Sequence, residues 1–128
     1  ESDENPVYYL QYAHARLCNI LKHAESMKHK LNKNADANLL TLESEIQLIK
    51  NLMEFPTIVE RAHGNLEPQS IANYLHDLAG QFHRYYAKER IVTNDQAKTS
   101  ARLILVRVLQ IVLCNGLKIL GIRAPERM

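Results

Sequence analysis

Apolar residues recur along this chain at intervals of three and four, and no stretch alternates with period two. Leu10, Ala13, Leu17, Ile20, Leu21, Ala24 and Leu31 fall on one stripe, so the spacing predicts a long first helix over residues 6–33. Asn5-Pro6 starts it, because Asn caps well and the missing N–H of proline costs nothing in the first turn. The polar run 32–38 breaks the pattern. Residues 42–55 predict a second amphipathic helix, buried through Ile46, Ile49, Leu52 and Met53. Pro56 interrupts it and opens a short third helix to residue 62, with Gly64 expected in the left-handed position that ends it. Pro68 opens a fourth, carried by Ile71, Leu75, Leu78, Phe82 and Tyr85 or Tyr86. A loop at 89–95 precedes a fifth helix over 96–115, stopped at Asn115-Gly116 or continued one turn by Leu117, Ile119 and Leu120. That helix is apolar on almost every side (Ala101, Ile104, Leu105, Val108, Leu109, Val112), which predicts the central, buried element. The expected fold class is all-α, a bundle of about five helices in one domain spanning 1–128.

Composition narrows the class. Hydrophobic residues are 46% and charged residues 23%, a globular balance. No uninterrupted apolar run approaches the roughly 18 residues of a membrane span, since Arg107 and Gln110 break the most apolar segment. The acidic start has neither a signal-peptide core nor an initiator Met, which suggests a fragment of a larger protein. Cys18 and Cys114 are too few and too far apart for a disulfide framework or a CxxC site. Buried thiols in a reducing, cytoplasmic setting are expected instead.

The net charge of +2 hides an asymmetry. Residues 1–80 hold 7 Lys/Arg against 11 Asp/Glu, and residues 81–128 hold 9 against 3. Residues 5–33 are a basic exception in the first part, with Arg16, Lys22, Lys28, Lys30 and Lys33 against Glu25. If the first helix packs beside the last third, the two form a basic face suited to a polyanion.

Catalytic chemistry is missing. Glu60-x-x-His63 is a single step where di-iron bundles need two, and the six histidines form no HExxH. No glycine-rich phosphate loop occurs among four glycines, and Ser26-Met27-Lys28 only faintly echoes a synthetase signature. No catalytic residue, metal site or cofactor of the chain's own is expected.

Tyrosine is the informative residue, six of eight aromatics. Tyr8, Tyr12, Arg16, Asn19 and His23 share one row of the first helix, off the apolar stripe. A ring and a guanidinium four residues apart suit an unpaired base, the ring stacking while the Arg reads an edge or a phosphate. Alternatively, another domain covers the row, or a partner helix docks on the Tyr8/Tyr12/Arg16 face. Periodicity favours ordinary packing at Tyr85 and Tyr86, although His83, Arg84, Lys88 and Arg90 surround them with cations.

Several blocks, in order, resemble one family. Asn5-Pro-Val-Tyr-Tyr-Leu-Gln-Tyr-Ala-His-Ala-Arg16 is similar to the junction segment of arginyl-tRNA synthetases. Leu66-Glu-Pro-Gln-Ser-Ile-Ala-Asn-Tyr-Leu75, Leu78-Ala-Gly-Gln-Phe-His-Arg-Tyr-Tyr86, Ala101-Arg-Leu and the closing Asn115-Gly with Leu120-Gly-Ile-Arg-Ala-Pro-Glu-Arg-Met128 resemble later blocks of their C-terminal DALR anticodon-binding domain. The resemblance implies a helical bundle that grips the anticodon stem-loop of arginine tRNA, beside a catalytic domain that uses ATP and magnesium. It implies a cytoplasmic, monomeric, membrane-free protein, and no arginylation by this fragment alone. The residues it marks for tRNA contact are Tyr12, Arg16, Tyr86 and Met128; Tyr8, His83 and Arg127 join them as neighbours in the same blocks. At Tyr86 it departs from the periodicity, and it is followed here. The segment 28–41 matches nothing specific.

Overall fold

The computed structural model describes residues 5–65 and 67–128; residues 1–4 and Leu66, the first residue of one resembling block, lie outside them. The described residues form five α-helices: α1 (Pro6–Ser26), α2 (Glu43–Met53), α3 (Phe55–Asn65), α4 (Pro68–Lys88) and α5 (Gln96–Ile119). A single 3-10 turn at Ala37–Leu39 lies between α1 and α2, and no strand occurs among the described residues. The expected all-α bundle is therefore the fold. α1 and α5 make its most extensive pairing, and α4 packs against each of the other four helices. Leu17, Leu75, Leu78, Phe82, Val106, Leu109, Leu113 and Leu117 are fully buried where these helices meet.

Helix starts follow the sequence signals. Asn5 Oδ1 accepts from the Tyr8 N–H at 3.1 Å, and Asp95 Oδ1 from the Lys98 N–H at 3.2 Å, each satisfying an orphan donor. Helix ends do not. α1 stops at Ser26, well short of residue 33, because Lys28 takes the left-handed conformation (φ 69°). The Lys28 N–H then reaches Glu25 O and the His29 N–H reaches Ala24 O, both at 2.9 Å, the paired bonds of a Schellman ending. Leu31, expected on the apolar stripe, is consequently exposed. Gly64, expected at such an ending, stays helical instead. α5 runs past Asn115-Gly116 to a second Schellman ending, where Gly121 has φ 74° and Ile122 N–H bonds Leu117 O at 2.8 Å. Gly116 has a packing role: a Cβ there would lie 2.6 Å from both Cδ atoms of buried Leu75, so α4 and α5 approach through it.

α2 is rotated from the predicted face, although Leu52 is buried and Ile49 half-buried as expected. Glu45, Leu48 and Leu52 point inward, while Ile46 is exposed and Met53 is 74% exposed. The cause is Glu45, only 1% exposed, whose Oε2 accepts from Arg102 Nε at 2.8 Å and from the Tyr85 hydroxyl at 2.6 Å. Its Oε1 accepts the Leu42 N–H at 3.1 Å, which ties down the start of the helix. Burial and the Glu45 carboxylate together push the Tyr85 hydroxyl pKa up, so it remains a donor.

α5 is not buried all round. Ala101, Leu105, Leu109 and Val112 face inward, but Val108 and Ile111 are exposed. By length and composition alone α5 could cross a membrane, contrary to the interrupted-run argument. More than half of its most apolar stretch is nevertheless covered by the bundle, and its Arg102 is paired inside.

The glycines yield a paired expectation. Gly64→Ala meets open space in a helix and should stabilise by about 0.5–1 kcal/mol. Gly116→Ala gains the same propensity but overpacks Leu75, a cost of about 1–3 kcal/mol, so its net effect should be destabilising. Thermal melts of the two variants should therefore shift in opposite directions.

Candidate nucleic-acid interface

The outer row of α1 is placed as its spacing predicts. Tyr8 and Tyr12 are exposed, as are Asn19 and His23, whereas Arg16 is half-buried against α4. There α4 presents His83 and Tyr86, one helical turn apart. Arg16 Nη1 donates to His83 Nδ1 at 3.0 Å, and its Cζ lies 4.6 Å from the Tyr86 ring centroid. Tyr86 in turn stacks on buried Phe82 (5.8 Å, 14° between planes). The Tyr12 ring lies over His83 (5.8 Å, 29°) at the solvent side. The guanidinium is thus held by a cation–π contact and a hydrogen bond before any ligand arrives.

The protonation state of His83 follows from that bond. Arginine has no lone pair to offer, so Nδ1 must be the acceptor and the proton sits on Nε2, which is buried without a partner. Burial, and secondarily the Arg16 charge, lower the His83 pKa to about 4. The Tyr9 ring closes the other side, edge-on at 5.5 Å.

These groups floor and flank a cleft of about 900 Å³. Its walls are α1 (Tyr12, Arg16, Asn19, His23), Tyr86 at the end of α4, the connector residues 89–92, and Arg127 with Met128. Of the seven residues expected to contact RNA, five meet here: Tyr12, Arg16, Tyr86, Arg127 and Met128. Tyr8 lies further along the row, outside the cleft, and His83 sits beneath it as a support for Arg16. Arg16, Lys22, Arg90 and Arg127 line the cleft against Glu89 alone, whose carboxylate faces Arg102 at 3.6 Å. α1 does pack beside the last third, the condition on which the basic face depended, and the cleft they share is cationic.

Two of its supports were not visible in the sequence as such. The connector reads as a loop, yet Ile91 is buried in the core and Arg90 O accepts from Arg102 Nη1 at 2.6 Å. The apolar pair Ile91-Val92 inside a polar stretch was the available signal. After Gly121 the chain turns and runs back along α1, where Gln11 Nε2 donates to Arg123 O at 3.0 Å and His14 Nδ1 lies 2.8 Å from Pro125 O. His14, between Leu10 and Leu17 on the apolar stripe, was a buried polar residue in plain view.

The chain matches the family model described as the DALR anticodon binding domain over residues 10–128. It is 43% identical to an arginine–tRNA ligase of Desulforamulus reducens, covering 100% of this chain and 23% of that protein. It is 44% identical to an arginine–tRNA ligase of Listeria monocytogenes, covering 99% of this chain and 23% of that protein. Among solved structures, arginyl-tRNA synthetase of Thermus thermophilus superposes with a TM-score of 0.81 at 34% identity, over 94% of this chain and 21% of that one. The chain thus spans about a quarter of the length of these relatives.

His83 has a measurable signature. The folded chain keeps it neutral down to about pH 4, while the unfolded imidazole titrates near 6.5. Between those values the unfolded state binds more protons, so this stability is complete above pH 6.5 and is lost as pH falls toward 4. His83→Asn, which offers an amide oxygen where Nδ1 stood, should flatten that part of the pH profile. Denaturation midpoints at pH 7, 5.5 and 4 would check it; an unchanged slope would mean His83 titrates normally.

Proposed function

Because this chain belongs to the DALR anticodon-binding domain family, we propose that it grips the anticodon stem-loop of arginine tRNA as one domain of an arginine–tRNA ligase. The observation that carries this reading is the Arg16 slot: a guanidinium fixed between Tyr86 and His83, with Tyr12 exposed beside it, in a basic cleft. A splayed anticodon base has an open π-face and unpaired edge atoms. Tyr12, 41% exposed, offers the stacking plane, and Arg16 retains donors on its free nitrogens for a base edge or phosphate. Met128, more than half exposed at the far wall, supplies a soft apolar contact, and Arg127 beside it adds charge. The polar, cationic lining suits RNA better than the apolar face of a partner helix.

The chemistry of joining arginine to tRNA, with its ATP and magnesium, belongs in this reading to the part of the ligase outside the chain. The domain contributes binding and orientation, in a cytoplasmic and monomeric enzyme.

Binding of arginine tRNA's anticodon stem-loop, followed by fluorescence anisotropy against a stem-loop of another tRNA, tests the proposal. Tyr12→Ala should cost roughly 1–3 kcal/mol if the ring stacks on a base. Arg16→Ala should weaken binding too, and the double variant should lose less than the sum, since both hold one nucleotide. Log affinity should fall steeply with log salt. Equal affinity for the two stem-loops, or a flat salt response, would remove the reading.

A further inference from the structure

We propose that His14 is a positioning residue for the RNA cleft: it pins the C-terminal strap to α1 and thereby fixes where Arg127 and Met128 stand. The proposal rests on the anticodon-binding reading above. His14 is 4% exposed and lies outside the cleft lining, so it cannot touch a ligand there. Its Nδ1 donates to Pro125 O at 2.8 Å, two residues before Arg127. Behind the ring stands Cys18, whose Sγ lies 3.8 Å from Nδ1 and accepts from Gln110 Nε2 of α5 at 2.9 Å. The ring is therefore set by two helices before it meets the strap.

The other polar tethers of the strap are weaker. The Gln11 bond to Arg123 O is exposed, and the Lys22–Glu126 pair (3.6 Å) has side chains 59% and 72% exposed, where an ion pair contributes little. Pro125 has no N–H, so its carbonyl is the one backbone group it can use to dock. Half-buried Ile122 and Ala124 hold the first part of the strap on the core, but beyond Pro125 the chain is exposed. Chain segments of that kind fray unless tied down. His14 supplies the tie nearest the two cleft residues that has a buried donor.

A structural role alone would lower stability without touching the strap selectively, so the test reads the strap directly. In the 128-residue chain, backbone ¹⁵N heteronuclear NOEs at residues 126–128 should drop in His14→Ala while those of the helices hold. His14→Asn, with an amide N–H in place of Nδ1, should restore them. Affinity for the arginine anticodon stem-loop should fall about 2- to 10-fold in His14→Ala, the range expected for losing a thioether–ring contact. Combining His14→Ala with Arg127→Ala and Met128→Ala should weaken binding no further than the two tail substitutions alone. Should His14→Ala not fold, His14→Leu keeps the volume without the donor and serves the same comparison. Unchanged NOEs at 126–128, or additive binding losses, would overturn the proposal. If the wild-type chain ignores the stem-loop, the anticodon reading fails, while the NOEs still decide the role of His14.

Discussion

A single buried carboxylate, Glu45, dictates how the pieces of this bundle meet. Taking two charges out of water costs several kcal/mol per ion, so Glu45 and Arg102 are tolerable inside only because their hydrogen bonds are filled. Glu45 accepts from Arg102, Tyr85 and the Leu42 N–H; Arg102 also donates to Arg90 O and faces Glu89. The Glu45–Arg102 pair thereby joins α2, α4, α5 and the connector between the last two. Such a pair contributes little net stability over a well-packed apolar replacement, but it accepts few alternative arrangements. The rotation of α2 and the position of residues 89–92 both follow from it.

The cleft uses the same device on a smaller scale. Arg16 is immobilised by an aromatic face and an imidazole acceptor, and that acceptor is kept neutral by burial and by Arg16 itself. The rotamer entropy of a long side chain is spent in folding, not in binding. What stays exposed is at the rim, in Tyr12 and Met128.

Periodicity alone was enough to find the five helices and the Tyr12–Arg16 row off the apolar stripe, because both depend on local spacing. It misplaced what depends on tertiary contacts. Lys28 ends α1 with no glycine to announce it; Gly64 and Gly116 look like stops but are a helical residue and a packing contact. Ile46 and Met53 are as apolar as the residues α2 buries, and only the distant Arg102 decides that Glu45 goes inside. In the site, periodicity favoured plain packing for Tyr86, which both stacks on the core and faces the cleft; the block resemblance supplied the second half. Glu89 carried no signal of its place in the site, while Ile91 in its polar stretch and His14 on the apolar stripe signalled burial but not what each supports.

The strap has a topological consequence. Gln11 meets Arg123 and His14 meets Pro125 across sequence separations of 112 and 111 residues, nearly the whole chain. Closing a loop of that length is among the most entropically demanding steps available to a chain of this size. Pairings such as α3 with α4 are local in sequence, but the wall formed by Arg127 and Met128 needs residues 121–128 set against α1. The wall of the cleft therefore depends on the pairing of α1 with α5, which brings residues 121–128 beside Gln11 and His14.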